Sequence, residues 1–478
     1  MHQGPDSKAV KHGADADKQG TILEQPRKKH IADRYPPRGN MNDKKLDLQR
    51  DSIVKIFIHY AVPSILGMLA MSTAQVVDGI FIGRFVGPDG LAAINLAWPL
   101  VMVFSGISLM IGIGGSTMAN ISRGAGENKA ADNFYSLTML LLVLFGAAVL
   151  LTGLGLLKFI PIILGADESI ETLVQDYLRI ILIFAPVFML TFTQDLFIRG
   201  DGHPIFPVAV MLAGSATNII LDYLFVGKFD LGIKGAAWAT GCSQVLPFVL
   251  MLFYLMGKTN WKFTKPVFHG KDIFRMMYNG VSEFIDETSI GISVYIFNLV
   301  LMSRIGAYGV AAYSIAAYVG EIFGIIFFGT AQAIHAGVSV NRGAGNSERV
   351  KGFRNLAIYT NLGFGIIAFI FLQLFRNQAA AVFVKDPEVI KLASEITFYY
   401  SFAMLLMGIN IASAMFFTAV DKPAQSAGIA LSRSLVMLLV GLFVLPIFLG
   451  NTGIWLTFAF AESVTLILAI VFFRKTKI

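Results

Sequence analysis

The chain has 478 residues, is 55% hydrophobic and only 14% charged, and contains 40 phenylalanines; its mean hydropathy is +0.66. A water-soluble core does not absorb that much apolar sequence, and the net charge of +7 reports orientation in a bilayer rather than a nucleic-acid partner. Cys242 is the only cysteine, which excludes an intrachain disulfide; seven histidines are too sparse for a metal cage, and no phosphate-cradling Walker loop occurs.

Residues 1–50 differ in kind. They are polar, mix both charges and include Pro36 and Pro37, and they lack the apolar core of a signal peptide. Their composition is that of a disordered cytosolic tail. Met41, opening MNDKKLDL, is a second expected start, which would make the preceding residues dispensable. After the tail come apolar runs of roughly 20 residues, the length that crosses ~30 Å of hydrocarbon as helix. Breaks at Gly, Pro and charge divide them into twelve predicted spans. The first six are 54–83, 91–118, 134–157, 174–198, 204–226 and 235–256; the second six are 277–303, 310–335, 355–375, 394–417, 424–448 and 454–473. The fold class is therefore an all-α polytopic membrane protein. Its domains are a six-helix lobe over 51–257, a cytoplasmic linker over 258–276 and a second six-helix lobe over 277–478.

The two sets of six repeat each other. RGAG at 123–126 returns at 342–345, each time after an even-numbered span. GLAAINLA (90–97) matches GVAAYSIA (309–316), GHP (202–204) matches DKP (421–423), and LGIKGAAW (231–238) roughly matches LGNTGIWL (449–456). Six helices return a chain to the side where it began, so the copies share one orientation and are related by an axis along the membrane normal. Lys and Arg outnumber their opposite-side counterparts about two to one on the side holding both termini, which places that side in the cytoplasm. In RGAG the glycines can end a helix and permit a tight reversal, with the arginine as an anchor; a gating contact between the halves is the other reading.

Acids inside spans are costly and face a cavity or a partner. Asp78 in span one, Asn218 and Asp222 one turn apart on a face of span five, and Thr240 in span six fall at a similar depth. They are expected to form one polar pocket, Asn218 and Thr240 supplying hydrogen bonds to the carboxylates; hydrated structural caps are the plainer alternative. The second lobe places its acids elsewhere. Glu283, Asp286 and Glu287 share a face of span seven, while Glu321 and Glu462 lie near the middle of spans eight and twelve. The residues repeating Asp78 and Asp222 read as Asn298 and Gly441. Clustered carboxylates of this kind can take up and release protons, with Glu321 favoured by depth; alternatively Arg433 in span eleven pairs with Glu462 or Glu283. Trp238 and Trp455 suit an interfacial belt, and the Met and Phe content fits either an adaptable cleft or lipid-facing surface.

The stretch VVDGIFIGRFVGPDGLAAINL following Pro63, then NIILDYLFV (218–226) and GIKGAAWAT (232–240), resembles the MATE family of multidrug and toxic-compound extrusion transporters, over essentially everything after the tail. The resemblance implies two lobes working by alternating access. It implies export of chemically varied, often cationic, lipophilic compounds in exchange for H⁺ or Na⁺, and no enzyme activity or organic cofactor. Asp78, Asn218, Asp222 and Thr240 match the family's cation-binding network, with Na⁺ at Asp78, Asn218 and Asp222 if sodium is the ion. Glu283, Asp286, Glu287 and Glu321 are expected to serve the passenger and proton coupling. The expected partners are amphipathic small molecules and the lipid bilayer, with no nucleic acid, and the expected state is a monomer in the cytoplasmic (inner) membrane. The alternative is a flippase for lipids or lipid-linked sugars, which calls for more Arg and Lys in the cleft to meet phosphates.

Overall fold

A computed structural model describes residues 46–257 and 259–476; the expectations for the tail before residue 46 and for Met41 lie outside the described residues. Twelve long helices cross the fold: α1 Ile53–Phe85, α2 Pro88–Gly124, α3 Asn128–Gly155, α4 Glu171–Gly200, α5 Ile205–Lys228, α6 Gly232–Gly257, α7 Gly270–Arg304, α8 Ala307–Gly343, α9 Ser347–Phe383, α10 Pro387–Ala419, α11 Pro423–Leu449 and α12 Thr457–Lys475. All twelve are long and apolar enough to span a bilayer, and no strand occurs among the described residues. Local signals set several ends. Asp386 caps α10 by accepting from the N–H groups of Glu388 and Val389, with Pro387 in the first turn, and Asn346 caps α9 through the Arg349 N–H. The reversals from α1 to α2 and from α7 to α8 pass through Gly87 and Gly306, whose φ values of +92° and +81° lie in the region that favours glycine.

Helix pairing repeats with a step of six. In the first lobe α1 packs on α5, α2 on α3 and α4, α3 on α4, α4 on α6, and α5 on α6. In the second, α7 packs on α11, α8 on α9 and α10, α9 on α10, α10 on α12, and α11 on α12. Between the lobes α2 meets α8, while α1–α8 and α2–α7 exchange with each other. A two-fold axis generates that pattern, and because each half makes six crossings both halves share one orientation.

The seam between the lobes explains the RGAG repeat. We call proximal the end where α1 begins and α12 finishes. A Cβ added at Gly124 would stand 1.9 Å from the Val340 carbonyl oxygen, and one at Gly343 would stand 1.9 Å from that of Ile121. Deeper in the bundle, Gly114 and Gly280 abut the carbonyls of Met276 and Met110 in the same manner. Only glycine permits such an approach of backbones, the usual device of helix contacts in membranes. Thr117 and His335 add a hydrogen bond of 2.8 Å across the seam. Toward the distal end the contact fades: a Cβ added at Gly79 of α1 would meet nothing within 4 Å, and one at Gly291 of α7 would meet only the Met102 sulfur at 3.4 Å. The backbone-close contacts between the lobes are thus concentrated at the proximal end and in the middle of the bundle.

That seam also moves helix ends away from their predicted places. Spans two and eight were expected to stop near 118 and 335, but both helices run on to the RGAG glycine. Ser116, Thr117, Asn120, Ser122, Ser339 and Asn341 are polar yet buried: Thr117 meets His335 of the facing lobe, Asn120 lies against Gly200 of its own lobe, and Asn341 is covered by the segment at Leu48. Likewise α7 begins at Gly270 rather than 277.

Two segments lie along the proximal end. Leu46 and Leu48 are buried in a cluster with Val340, Val350 and Phe353 of the second lobe. Asn341 donates to the Leu48 carbonyl (2.8 Å), and Arg349 donates to the carbonyls of Leu48 (3.1 Å) and Asp51 (2.7 Å). The Leu46 N–H reaches the Gly202 carbonyl of the first lobe at 3.4 Å. This strap ties one lobe to the other. The second segment, from Thr259 to His269, follows α3 instead: Asp132, Asn133 and Ser136 accept from the N–H groups of Lys262, Val267 and Thr264.

Candidate functional site: two polar clusters, one in each lobe

In the first lobe α1 and α5 bring Asp78 and Asp222 within electrostatic reach of each other. Asp222 is fully buried and Asn218, one turn earlier, is nearly so. A π-helical segment, Tyr223–Lys228, follows directly after Asp222; such local widenings accompany functional positions often enough to be noted. Asp78 Oδ1, both carboxylate oxygens of Asp222 and Thr240 Oγ1 are buried without a hydrogen-bond partner in the protein. The expectation that Asn218 and Thr240 would donate to the carboxylates is therefore not met. Both acids are left as acceptors facing other acceptors, an arrangement that is costly unless a proton or a cation enters it.

Tyr177 of α4 joins this cluster without having been singled out by the sequence. It is buried and close enough to sense both Asp78 and Asp222. Its only sequence signal is a polar-tipped ring in the apolar run following Asp176. Sodium prefers several oxygen ligands; two carboxylates with Asn218, Thr240 and Tyr177 around them supply oxygens of suitable type. No group of three or more His, Cys, Asp or Glu that could hold a metal ion occurs among the described residues.

The second lobe is built differently. Arg433 of α11, buried, donates through Nη1 to both oxygens of Asp286 on α7 (3.3 Å each) and through Nε to Glu462 Oε1 on α12 (3.3 Å). Asn410 of α10 donates to the other Glu462 oxygen at 2.6 Å. Arg433 sits in a π-helical segment, Ser432–Val436, whose neighbours are also fixed. Ser432 bonds Thr465 (2.8 Å), and the Ser434 carbonyl accepts from Ser293 (2.6 Å). Of the two alternatives for Arg433, pairing with Glu462 is realised and pairing with Glu283 is not; Asp286 takes that place. Glu283 and Glu287 make no ion pair among the described residues. Glu283 lines a small cavity with Ser282, Asp286, Met415 and Arg433, and Glu287 stands near Gly106 on the seam. Glu321 is exposed and lies near Tyr400, which also faces Glu462 and Arg433.

One alignment needs correction. Gly87 and Gly306 share a backbone conformation, so the residue repeating Asp78 is Phe297, not Asn298. Phe297 is buried and stacks on Tyr313, with centroids 5.2 Å apart. An aromatic cluster occupies the depth that holds a carboxylate in the first lobe.

Two like-oriented six-helix lobes, in backbone-close contact and carrying buried carboxylates, define a multi-pass membrane transporter. The MatE family model matches residues 63–224 and 288–443, and the chain belongs to that family. It is similar to Multidrug export protein MepA of Staphylococcus aureus (strain MRSA252), 24% identical over 430 residues, covering 88% of this chain and 94% of the relative. Among solved structures, a MATE protein in complex with MaL6 superposes with a TM-score of 0.85 at 22% identity, over 90% of this chain and 98% of that one. The outward-facing conformation of a multidrug resistance MATE transporter of the MOP superfamily superposes at 0.83 and 22% identity, over 91% and 98%. At such identities the structures establish the fold.

Proposed function

We propose that the protein is a multidrug antiporter of the cytoplasmic (inner) membrane, exporting lipophilic, often cationic compounds in exchange for H⁺ or Na⁺, with both termini in the cytoplasm. The observation that carries this reading is the set of buried oxygens on Asp78, Asp222 and Thr240 that no protein donor satisfies. An entering proton or sodium ion would neutralise the Asp78–Asp222 pair, with Asn218, Thr240 and Tyr177 as further ligands. Glu283 and Glu287, left without a basic partner, suit a cationic passenger, and Glu321 extends that acidic surface. The bodies that move are the lobes expected at 51–257 and 277–478, the second extended to Gly270. Cation binding shifts the balance between proximally sealed and proximally open states only through its unequal affinity for the two.

The flippase alternative calls for a cleft arginine free to meet phosphate. Arg433 is already engaged by Asp286 and Glu462, which counts against it. The test is transport of a fluorescent cationic dye by the purified protein in liposomes, with proton and sodium gradients imposed separately. Dye movement driven by one inward cation gradient supports the antiporter. Movement indifferent to both gradients, or unaltered by Asp78→Asn, overturns it.

A further inference from the structure

We propose that the ribbon from Lys262 to Lys271 is a binding surface for anionic phospholipid in the leaflet at the proximal end. Its backbone is held in place along α3 by the three hydrogen bonds from Lys262, Thr264 and Val267, and Trp261 anchors its start. That ring is buried, donates to the Phe197 carbonyl at 2.8 Å and lies 3.3 Å beneath the Arg123 guanidinium. The bonds attach to the second and third turns of α3, a span that starts at Asn128, so the ribbon runs at headgroup level.

What this fixed backbone presents outward is an alternation of two chemistries. Phe263, Phe268 and Phe274 are exposed at 57%, 58% and 69%. Alternating with them stand Lys262, Lys265 and Lys271, all exposed and without an ion pair among the described residues. The only acid between Thr259 and Arg275 is Asp272. Aromatic rings that enter the acyl boundary beside lysines that reach headgroup phosphates are what an anionic leaflet selects. The corresponding segment before α1 supplies an internal contrast. It buries its apolar side chains, Leu46 and Leu48, and carries Asp47 and Asp51 beside Arg50, so it has neither half of the recognition. The ribbon therefore holds the first lobe to the lipid surface, while the strap holds the two lobes to each other.

The test uses the full chain in nanodiscs. A fluorophore is placed at Val267→Cys, or at Gln49→Cys as the contrast, on a Cys242→Ser background. Quenching is compared between brominated phosphatidylglycerol and brominated phosphatidylcholine, each in an otherwise equal mixture of the two lipids. At Val267 the glycerol lipid is expected to quench more, and at Gln49 the two are expected to match. Each lysine replaced by Gln should reduce the preference about fivefold, so that Lys262→Gln/Lys265→Gln/Lys271→Gln abolishes it. Unchanged thermal unfolding and dye transport of this variant in phosphatidylcholine show that it folds. Equal quenching at Val267 in the parent, preference surviving in the triple variant, or relief of quenching by inorganic phosphate would each overturn the proposal.

Discussion

In the first lobe two carboxylates face each other with no base between them; in the second, Arg433 stands between Asp286 and Glu462. The helices were duplicated but the charge balance was not. Counting along α5 and α11 from Pro204 and Pro423, the position of Arg433 is taken by Gly214. A Cβ there would lie 2.7 Å from Pro247 Cγ, so no longer side chain enters. The buried carboxylates of the first lobe have no basic partner among the described residues, whereas those of the second share a resident one. The comparison teaches that an internal cation turns part of an acidic cluster into scaffold, with Glu283 and Glu287 outside its ion pairs among the described residues.

The comparison can be broken most decisively at the first lobe. Asp78→Asn or Asp222→Asn is expected to abolish gradient-driven dye transport in liposomes while the protein still elutes as a folded species, because no partner is stranded. Arg433→Ala should do the opposite. It strands two buried carboxylates and should cost about 3–5 kcal/mol, seen as a large drop in thermal unfolding temperature in detergent, with Arg433→Lys recovering part. Similar unfolding temperatures for the two kinds of variant would erase the distinction between the lobes.

The symmetric seam permits a sharper test. Gly124→Ala and Gly343→Ala each drive a methyl into a carbonyl of the opposite lobe. Both should shift the population toward proximal opening by similar amounts, measured as distances between spin labels on α3 and α9. The smallest expected effect concerns the strap. A hydrogen bond from the Asp47 N–H holds Asp51 below the ordinary carboxylate range, aided by Lys55 and Arg349. A depressed value means the contribution is complete above the unfolded value and fades as pH falls through the folded one. Amide exchange over 46–51 should therefore quicken, after correction for the intrinsic rate, only below about pH 4.

The twelve spans were legible because a lipid-embedded helix must be apolar along its whole length, and the shared orientation of the halves followed from an even number of crossings. The ends of α2 and α8 were not legible. Asn120 and Ser339 read as loop by hydropathy, yet both are buried, Asn120 against Gly200 of α4 and Ser339 bonded to the His335 carbonyl of its own helix. At the site, the convergence of Asp78 and Asp222 could be read from depth alone. Tyr177 could not, since a tyrosine in an apolar run says nothing of which way its hydroxyl points. Nor could Asn410, whose bond to Glu462 depends on how α10 is rotated. The slip from Phe297 to Asn298 was one of counting, since the repeated letters at 90 and 309 and at 123 and 342 already set the same offset as the turns.

The strap at Leu46 has a practical corollary for anyone handling the molecule. Cargo fused directly ahead of it, such as a fluorescent reporter or an affinity handle, would be tethered to the very joint that holds the lobes together. The same cargo appended beyond Lys475 would hang from the end of α12, clear of the hydrogen bonds that hold Leu48 and Asp51.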